Sequence, residues 1–224
     1  MPRKNFCVPI AQALGIEAEY VMACMEVARR RALNLAYWRK QASREFHAAA
    51  IDAVNALLSK AAESYDREGH EYLSLARTIR GRAHSMQAYP DSSLDRGNAV
   101  HTIPDLIYAL QGKLGDASDF RLAKIVGVRD TSFSLWRRGE RVPLEKYAVS
   151  LAHALGIDSE YARTCRDFAR HRDTMVLQSQ PPRHYVSSIH TVNSLLEKSA
   201  THYEKEASLQ FERAAKLRER LGES

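Results

Sequence analysis

The chain has 224 residues, a formal net charge of +6 and a pI near 9.3. This length permits one or two domains with a buried core, and the basic balance permits nucleic acid as a partner without requiring it. No apolar run reaches the length of a membrane span and no signal-peptide core is present, so no membrane partner is expected. The abundance of Ala, Leu, Glu, Lys and Arg, with little strict alternation, predicts an all-α fold.

The first predicted segment, residues 1–46, contains two helices followed by a basic stretch. The first helix closes at Gly15 and the second runs to about residue 31, because glycine tolerates the backbone conformation that ends a helix. In the basic stretch, arginines and lysines surround Tyr37 and Trp38. This pattern is typical either of a surface that faces nucleic acid or of a solvated face whose aromatic rings pack into the bundle, and we favour packing.

A long helix is predicted for residues 47–86, where apolar residues step by three and four as in a coiled coil. Residues 87–102 lose this period and gather Pro, Ser, Asp, Gly and Asn, which predicts a linker. The apolar stripe of the helix contains Ile51, Val54, Leu58 and Tyr65.

Residues 103–174 are predicted to form a helical domain that contains two short helices in succession. Ser118 suits the first position of one helix, Gly127 its end, and a second short helix follows before Gly139. The second helix has an apolar side and a polar side. Two short helices joined by a glycine turn are typical of a helix-turn-helix, whose second helix enters the DNA major groove.

The run from Leu122-Ala123 through Gly127-Val128 to Ser134, Trp136 and Gly139 resembles the pattern of phage repressor and Cro-type helix-turn-helix proteins. The resemblance implies a lambda-repressor-like domain. Its implied packing residues are Leu122, Ala123, Gly127, Val128, Phe133 and Trp136. Its implied base-reading residues are Arg129, Asp130, Thr131, Ser134 and Leu135. We assign the phosphate contacts to the flanking cations Arg121, Arg137, Arg138 and Arg141.

Three positions depart from this family pattern. The family usually has glutamine where this chain has Asp119 and Asp130, and Leu135 replaces a common polar reader. An acid near phosphate is unfavourable, although an aspartate can accept a hydrogen bond from cytosine, and a leucine can touch only a thymine methyl.

A second linker is predicted at residues 175–185, around Pro181-Pro182, and a second long helix at residues 186–224. The apolar stripe of this helix contains Ile189, Val192, Leu196 and Tyr203. The two stripes predict that the long helices pair, within one chain or between chains, although each could instead cover its own domain. Asn55 and Asn193 recur beside the stripes and are expected to be exposed.

The two halves of the chain are related by an incomplete internal repeat. The run Ala13-Leu14-Gly15-Ile16 recurs as Ala154-Leu155-Gly156-Ile157, and the two long helices also match. The first copy has no counterpart of the predicted recognition helix. It therefore resembles the C-terminal half of the same kind of domain, as found in a phage regulator family of uncharacterised role.

Three widely spaced cysteines, Cys7, Cys24 and Cys165, form neither an even set nor a metal-ligand spacing, so a reducing, cytoplasmic setting is expected. The sequence also lacks a glycine-rich phosphate loop and a His-x-x-x-His helix, and its nine histidines are scattered. We therefore expect no enzymatic activity, no cofactor, no metal site and no small-molecule ligand.

Together these features predict a sequence-specific transcriptional regulator, of phage or prophage origin by resemblance, that binds double-stranded DNA as a homodimer. The long helices would carry the oligomer interface. The alternative is a helical protein-interaction module, such as an antitoxin-like or phage accessory protein, that uses the same fold as a scaffold.

Overall fold

The computed structural model of the chain describes residues 6–29, 44–87, 100–115, 117–171 and 183–222. Over these ranges the chain is helical and contains no strand, which confirms the predicted all-α class. None of the helices in these ranges has the length and apolar character needed to cross a membrane. The basic stretch around Tyr37 and Trp38, and most of both predicted linkers, lie outside the described residues.

The helices of the described ranges are numbered here in chain order. They are α1 (Cys7–Leu14), α2 (Ala18–Arg29), α3 (Arg44–Gln87), α4 (Ile103–Leu114), α5 (Asp119–Val126), α6 (Asp130–Arg137), α7 (Glu145–Leu155), α8 (Ser159–Arg170) and α9 (Arg183–Gly222). The chain divides into two compact units, one formed by residues 1–68 with 210–224 and the other by residues 69–209. The second unit therefore takes in more of the chain than the predicted domain 103–174.

In the first unit, α1 packs against α2 through a small core of Cys7, Ala11 and Val21. Ion pairing and ring contacts join the parts of α3 and α9 that belong to this unit. Arg218 forms an ion pair with Asp66, and the guanidinium of Arg213 lies 5.9 Å from the ring centroid of Tyr65. Exposed pairs of this kind contribute little to stability, so they orient the helices more than they hold them.

The predicted stripe on α3 lies in this unit. Ile51, Val54, Leu58 and Tyr65 are all half-buried, whereas Ala50 and Ala62 beside them are buried. The stripe therefore keeps part of its apolar surface accessible, as a helix does when one side still has room for a partner.

The second unit is built around α4, which is buried along most of its length and contacts α6, α7 and α8. Leu106, Ile107 and Leu110 are fully buried in its core. The helix begins with a reciprocal cap, in which Thr102 Oγ1 accepts a hydrogen bond from the backbone of Asp105 and the Asp105 carboxylate accepts one from the backbone of Thr102. Such caps stabilise a helix by about 1 kcal/mol. Val100 and His101, which precede the cap, are buried, so residues 100–102 pack with the unit.

The second half of α3 is fixed to this unit by apolar and charged contacts. Ala76, Ile79 and Ala83 lie in its core. Arg82 Nη2 lies 2.9 Å from Oδ2 of the buried carboxylate of Asp105, and Arg80 Nε lies 3.2 Å from Glu197 Oε2. The unit therefore includes residues 69–87, which lie outside the predicted DNA-binding domain 103–174.

The stripe on α9 corrects one prediction. Its residues Ile189, Val192, Leu196 and Tyr203 are buried in the core of the second unit, with 0% exposure at Val192 and Leu196. Side chains that already fill a core cannot also form an interface with another chain. The prediction that these four residues of α9 form an oligomer interface is therefore wrong.

Asn193 was expected to be exposed, but it is 2% exposed and lies 2.9 Å, through Oδ1, from Nε2 of His101. The other ring nitrogen of His101 lies 2.7 Å from the hydroxyl of Tyr161. These contacts give both ring nitrogens of His101 a partner and join the entry to α4 with α8 and α9, whereas the buried Nδ2 of Asn193 has no hydrogen-bond partner among the described residues.

Candidate nucleic-acid interface

Helices α5 and α6 are two eight-residue helices joined by a three-residue turn. Ser118 Oγ accepts a hydrogen bond from the backbone of Arg121 at the start of α5. Gly127 ends α5 with φ 79°, a left-handed conformation that glycine adopts without strain. The backbone N–H of Val128 then donates to the carbonyl of Ala123 at 2.9 Å, and α6 begins two residues later. The order of caps and turn is the one that the sequence predicts.

The predicted packing residues occupy the inner side of this pair of helices. Leu122, Ala123, Phe133 and Trp136 are buried, and Val128 packs against the same core while partly exposed. Gly127 is exposed and serves the turn rather than the core. The buried side fixes which side of α6 remains available to a partner.

The predicted base-reading residues lie on the outer part of α6 and at its start. Arg129, Asp130 and Thr131 are exposed, while Ser134 and Leu135 are half-buried. Ser134 Oγ accepts a hydrogen bond from Nη1 of Arg138 at 3.1 Å. The first turn of α6 is therefore the most accessible part of the helix.

Arg137 has a different place from the one predicted. Its side chain is only 17% exposed, and its Nη2 lies 2.8 Å from Asp119 Oδ1. Its Nη1 donates to the hydroxyl of Tyr203 at 3.3 Å, and its guanidinium lies 5.4 Å from the ring centroid of Tyr108. The guanidinium is thus used within the unit, which corrects the prediction that Arg137 contacts phosphate.

Tyr203 extends this contact into the core. Its hydroxyl donates to Oε1 of Gln111 at 2.9 Å, and its ring stacks on Tyr72 with centroids 5.9 Å apart. Burial raises the pKa of the Tyr203 hydroxyl above its ordinary value, which keeps the hydroxyl neutral and able to donate. The end of α6 is therefore tied to α3, α4 and α9. The sequence carried no signal for this network beyond the apolar position of Tyr203.

The other predicted phosphate contacts remain at the surface. Arg138 is exposed and pairs with Glu140, with Nε 2.6 Å from Oε1, so the carboxylate raises the pKa of Arg138. Four cations near α6 have side chains that form no hydrogen bond or ion pair with any residue that the structure describes: Arg121, Lys124, Arg129 and Arg141. These four cations are available to an anionic partner.

Across the described ranges, no group of three or more His, Cys, Asp or Glu residues could hold a metal ion. The chain matches no protein-family model, no curated protein and no solved structure. Its functional assignment therefore depends on the exposed side of α6 and on the cations around it.

Proposed function

We propose that this protein is a sequence-specific DNA-binding transcriptional regulator that places α6 in the major groove, in the manner of phage repressor and Cro-type proteins. The observation that carries the proposal is the exposed first turn of α6, with Arg129, Asp130 and Thr131, on a helix whose other side is buried through Phe133 and Trp136. Side chains presented outward from a rigidly packed helix can read base edges without a large entropic cost.

Four unpaired cations support this proposal. Arg121 and Lys124 lie on α5, Arg129 lies at the start of α6, and Arg141 follows that helix. Cations in the elements that precede and follow a recognition helix suit the phosphates that border a groove, and phosphate contacts supply much of the affinity of DNA-binding proteins.

The acids that depart from the family pattern do not oppose the proposal. The ion pair with Arg137 neutralises Asp119. Asp130 accepts a hydrogen bond from the backbone N–H of Thr131 at 2.8 Å, at the positive end of α6. An aspartate in this position can also accept from the amino group of cytosine.

A homodimer is part of the proposal, because each chain carries one predicted recognition helix and proteins of this kind usually bind two half-sites. Since the stripe of α9 is buried, the surface that remains for pairing is the half-buried stripe of α3, with Ile51, Val54 and Leu58. Light scattering of the complex with DNA measures the number of chains bound. A strictly monomeric chain that protects two half-sites would contradict the homodimer.

The second candidate is a helical protein-interaction module. It is favoured by large apolar side chains at the surface of the second unit, since Phe120 is 68% exposed, Leu144 63% and Ile125 45%. Phe120 and Ile125 stand on the exposed side of α5 beside its cations. Contact of apolar side chains with water is unfavourable, and exposed apolar groups beside cations are typical of surfaces that bind another protein.

The two candidates differ in their dependence on salt. We would select bound duplexes from a random pool, test them beside the region upstream of the protein's own gene, and measure affinity at several salt concentrations. A DNA-binding protein should lose affinity steeply with salt, with each phosphate contact contributing a slope of about 0.9. Binding that is absent, or that does not depend on salt or sequence, would favour the interaction module.

Matched variants then separate the roles of individual residues. Arg141→Gln should lower the affinity for all duplexes alike and reduce the salt slope by about one. Thr131→Ala should change the preference among sequences. Lys205→Gln is the control, because Lys205 is an exposed cation on α9 outside the proposed interface, and the salt slope should stay unchanged.

A further inference from the structure

A surface concavity of about 790 Å³ lies beside the start of α6. Its walls come from the end of α5, the turn before α6, α6 itself, the loop that follows and the start of α7. This volume falls within the range of about 300–1,000 Å³ that is usual for small-molecule sites. The size therefore suits a ligand larger than a single inorganic ion.

The charge of the concavity is entirely positive. Lys124, Arg129 and Arg141 line it, and no Asp or Glu is among its lining residues. The side chains of these three cations have no hydrogen-bond or ion-pair partner among the described residues. Unpaired cations around a recess favour an anion, and guanidinium groups match the oxygens of phosphate or carboxylate.

Two aromatic rings form part of the same wall. The rings of Trp136 and Tyr147 lie with centroids 5.4 Å apart, and both residues line the concavity. Trp136 is 6% exposed, and its indole N–H has no hydrogen-bond partner among the described residues. Tyr147 is only half-buried, so the aromatic part of the wall is partly open to a bound molecule.

We propose that this concavity binds a small anion that carries a planar ring, of the class of a nucleoside 5′-monophosphate. The cations would hold the phosphate, and the aromatic wall would contact the base, because aromatic rings and guanidinium planes stack on bases. The ligand is bound by the free chain, so this proposal does not depend on duplex binding. It adds a small-molecule partner, a class for which the sequence shows no sign.

Tryptophan fluorescence tests the proposal directly. The chain has two tryptophans, so Trp38→Phe leaves Trp136 as the only one. This variant would be titrated with the 5′-monophosphates of adenosine, guanosine, cytidine and uridine, with inorganic phosphate and with adenosine. At least one monophosphate should change the emission of Trp136 in a saturable way and bind at least about tenfold more tightly than phosphate or adenosine, since only it can use both parts of the site.

Variants of the cations complete the test in the same background. Arg129→Gln with Arg141→Gln should weaken the binding of the monophosphate at least about tenfold, whereas Lys205→Gln, which changes an exposed cation of α9 that does not line the concavity, should leave the affinity unchanged. Circular dichroism should be the same for the cation variants and their Trp38→Phe parent, because Arg129, Arg141 and Lys205 are exposed. The proposal is overturned if no monophosphate gives a saturable change up to about 5 mM, if phosphate alone binds as tightly, or if the double variant binds as well as its parent.

Discussion

A Cβ atom added at Gly112 would lie 2.0 Å from the carbonyl oxygen of Leu195. The backbones of α4 and α9 therefore meet at this point with no side chain between them. The same Cβ would lie 2.9 Å from the backbone nitrogen of Ser199, so the neighbour on both sides is backbone that cannot turn away. This approach holds α9 against the central helix of the second unit and brings Tyr203 within reach of α6.

We expect Gly112→Ala to lower the free energy of unfolding by about 1–3 kcal/mol, because the two helices must move apart to relieve the clash. Urea denaturation followed by circular dichroism measures the change. Gly81→Ala is the matched control, since Gly81 lies in α3 and its Cβ would meet nothing within 4 Å. That variant should gain about 0.5–1 kcal/mol from helix propensity. Equal effects of the two substitutions would contradict the close approach.

Trp136→Ala should lower the free energy of unfolding of the second unit by about 3–5 kcal/mol, the usual cost of truncating a large buried aromatic side chain. The ring lies beside Phe133 and Tyr147 and is buried. Phe120→Ala removes an exposed ring from α5 and should change stability by less than about 0.5 kcal/mol. A thermal melt of Trp136→Ala that matches the parent would contradict the packing of α6.

Arg137→Gln should destabilise the second unit by about 1–3 kcal/mol, because it removes the partner of Asp119 and the donor to Tyr203 from a mostly buried position. Arg138→Gln changes an exposed residue that pairs only locally, with Glu140 and Ser134, and should leave the denaturation midpoint unchanged. The two substitutions are matched in residue type and concern neighbouring positions at the end of α6. The reverse order, with Arg138 the more costly to replace, would show that Arg137 is not held inside the unit.

His101 gives stability a dependence on pH. Burial lowers the pKa of His101, although the hydrogen bond to Asn193 and the charge of Asp105 oppose this and the charge of Arg82 adds to it. The unfolded chain therefore binds the proton more readily than the folded chain. The contribution of His101 to the free energy of unfolding is therefore fully present above the ordinary histidine pKa of about 6.5. It is lost as the pH falls below that value, by at most about 1.4 kcal/mol per pH unit.

Urea denaturation between pH 7.5 and 5 tests this dependence, and about 6.5 marks where the loss should begin. His101→Gln should be less stable than the parent near neutral pH but should lose less stability as the pH falls, because the titrating group is gone. His153→Gln, on the exposed side of α7, is the control and should keep the parent's slope. Parallel slopes for His101→Gln and the parent would contradict a buried, neutral His101.

Local chemistry was enough to place α5 and α6 from the sequence. Ser118 marks the start of α5 because its hydroxyl accepts a free backbone N–H, and Gly127 marks the end because it tolerates a positive φ. The apolar spacing also identified Phe133 and Trp136 as buried. Each of these inferences uses residues within a few positions of one another, where the backbone alone determines what can meet.

The partners of buried side chains were decided only by the tertiary structure. The spacing of apolar residues such as Val192 and Leu196 predicted that one side of α9 is buried. The same spacing is expected whether that side packs against another chain or against the core of its own unit. Asn193 and Arg137 were predicted to lie at the surface because polar side chains are usually exposed. Their burial depends on His101 and on Asp119 with Tyr203, groups brought together by packing across long stretches of sequence.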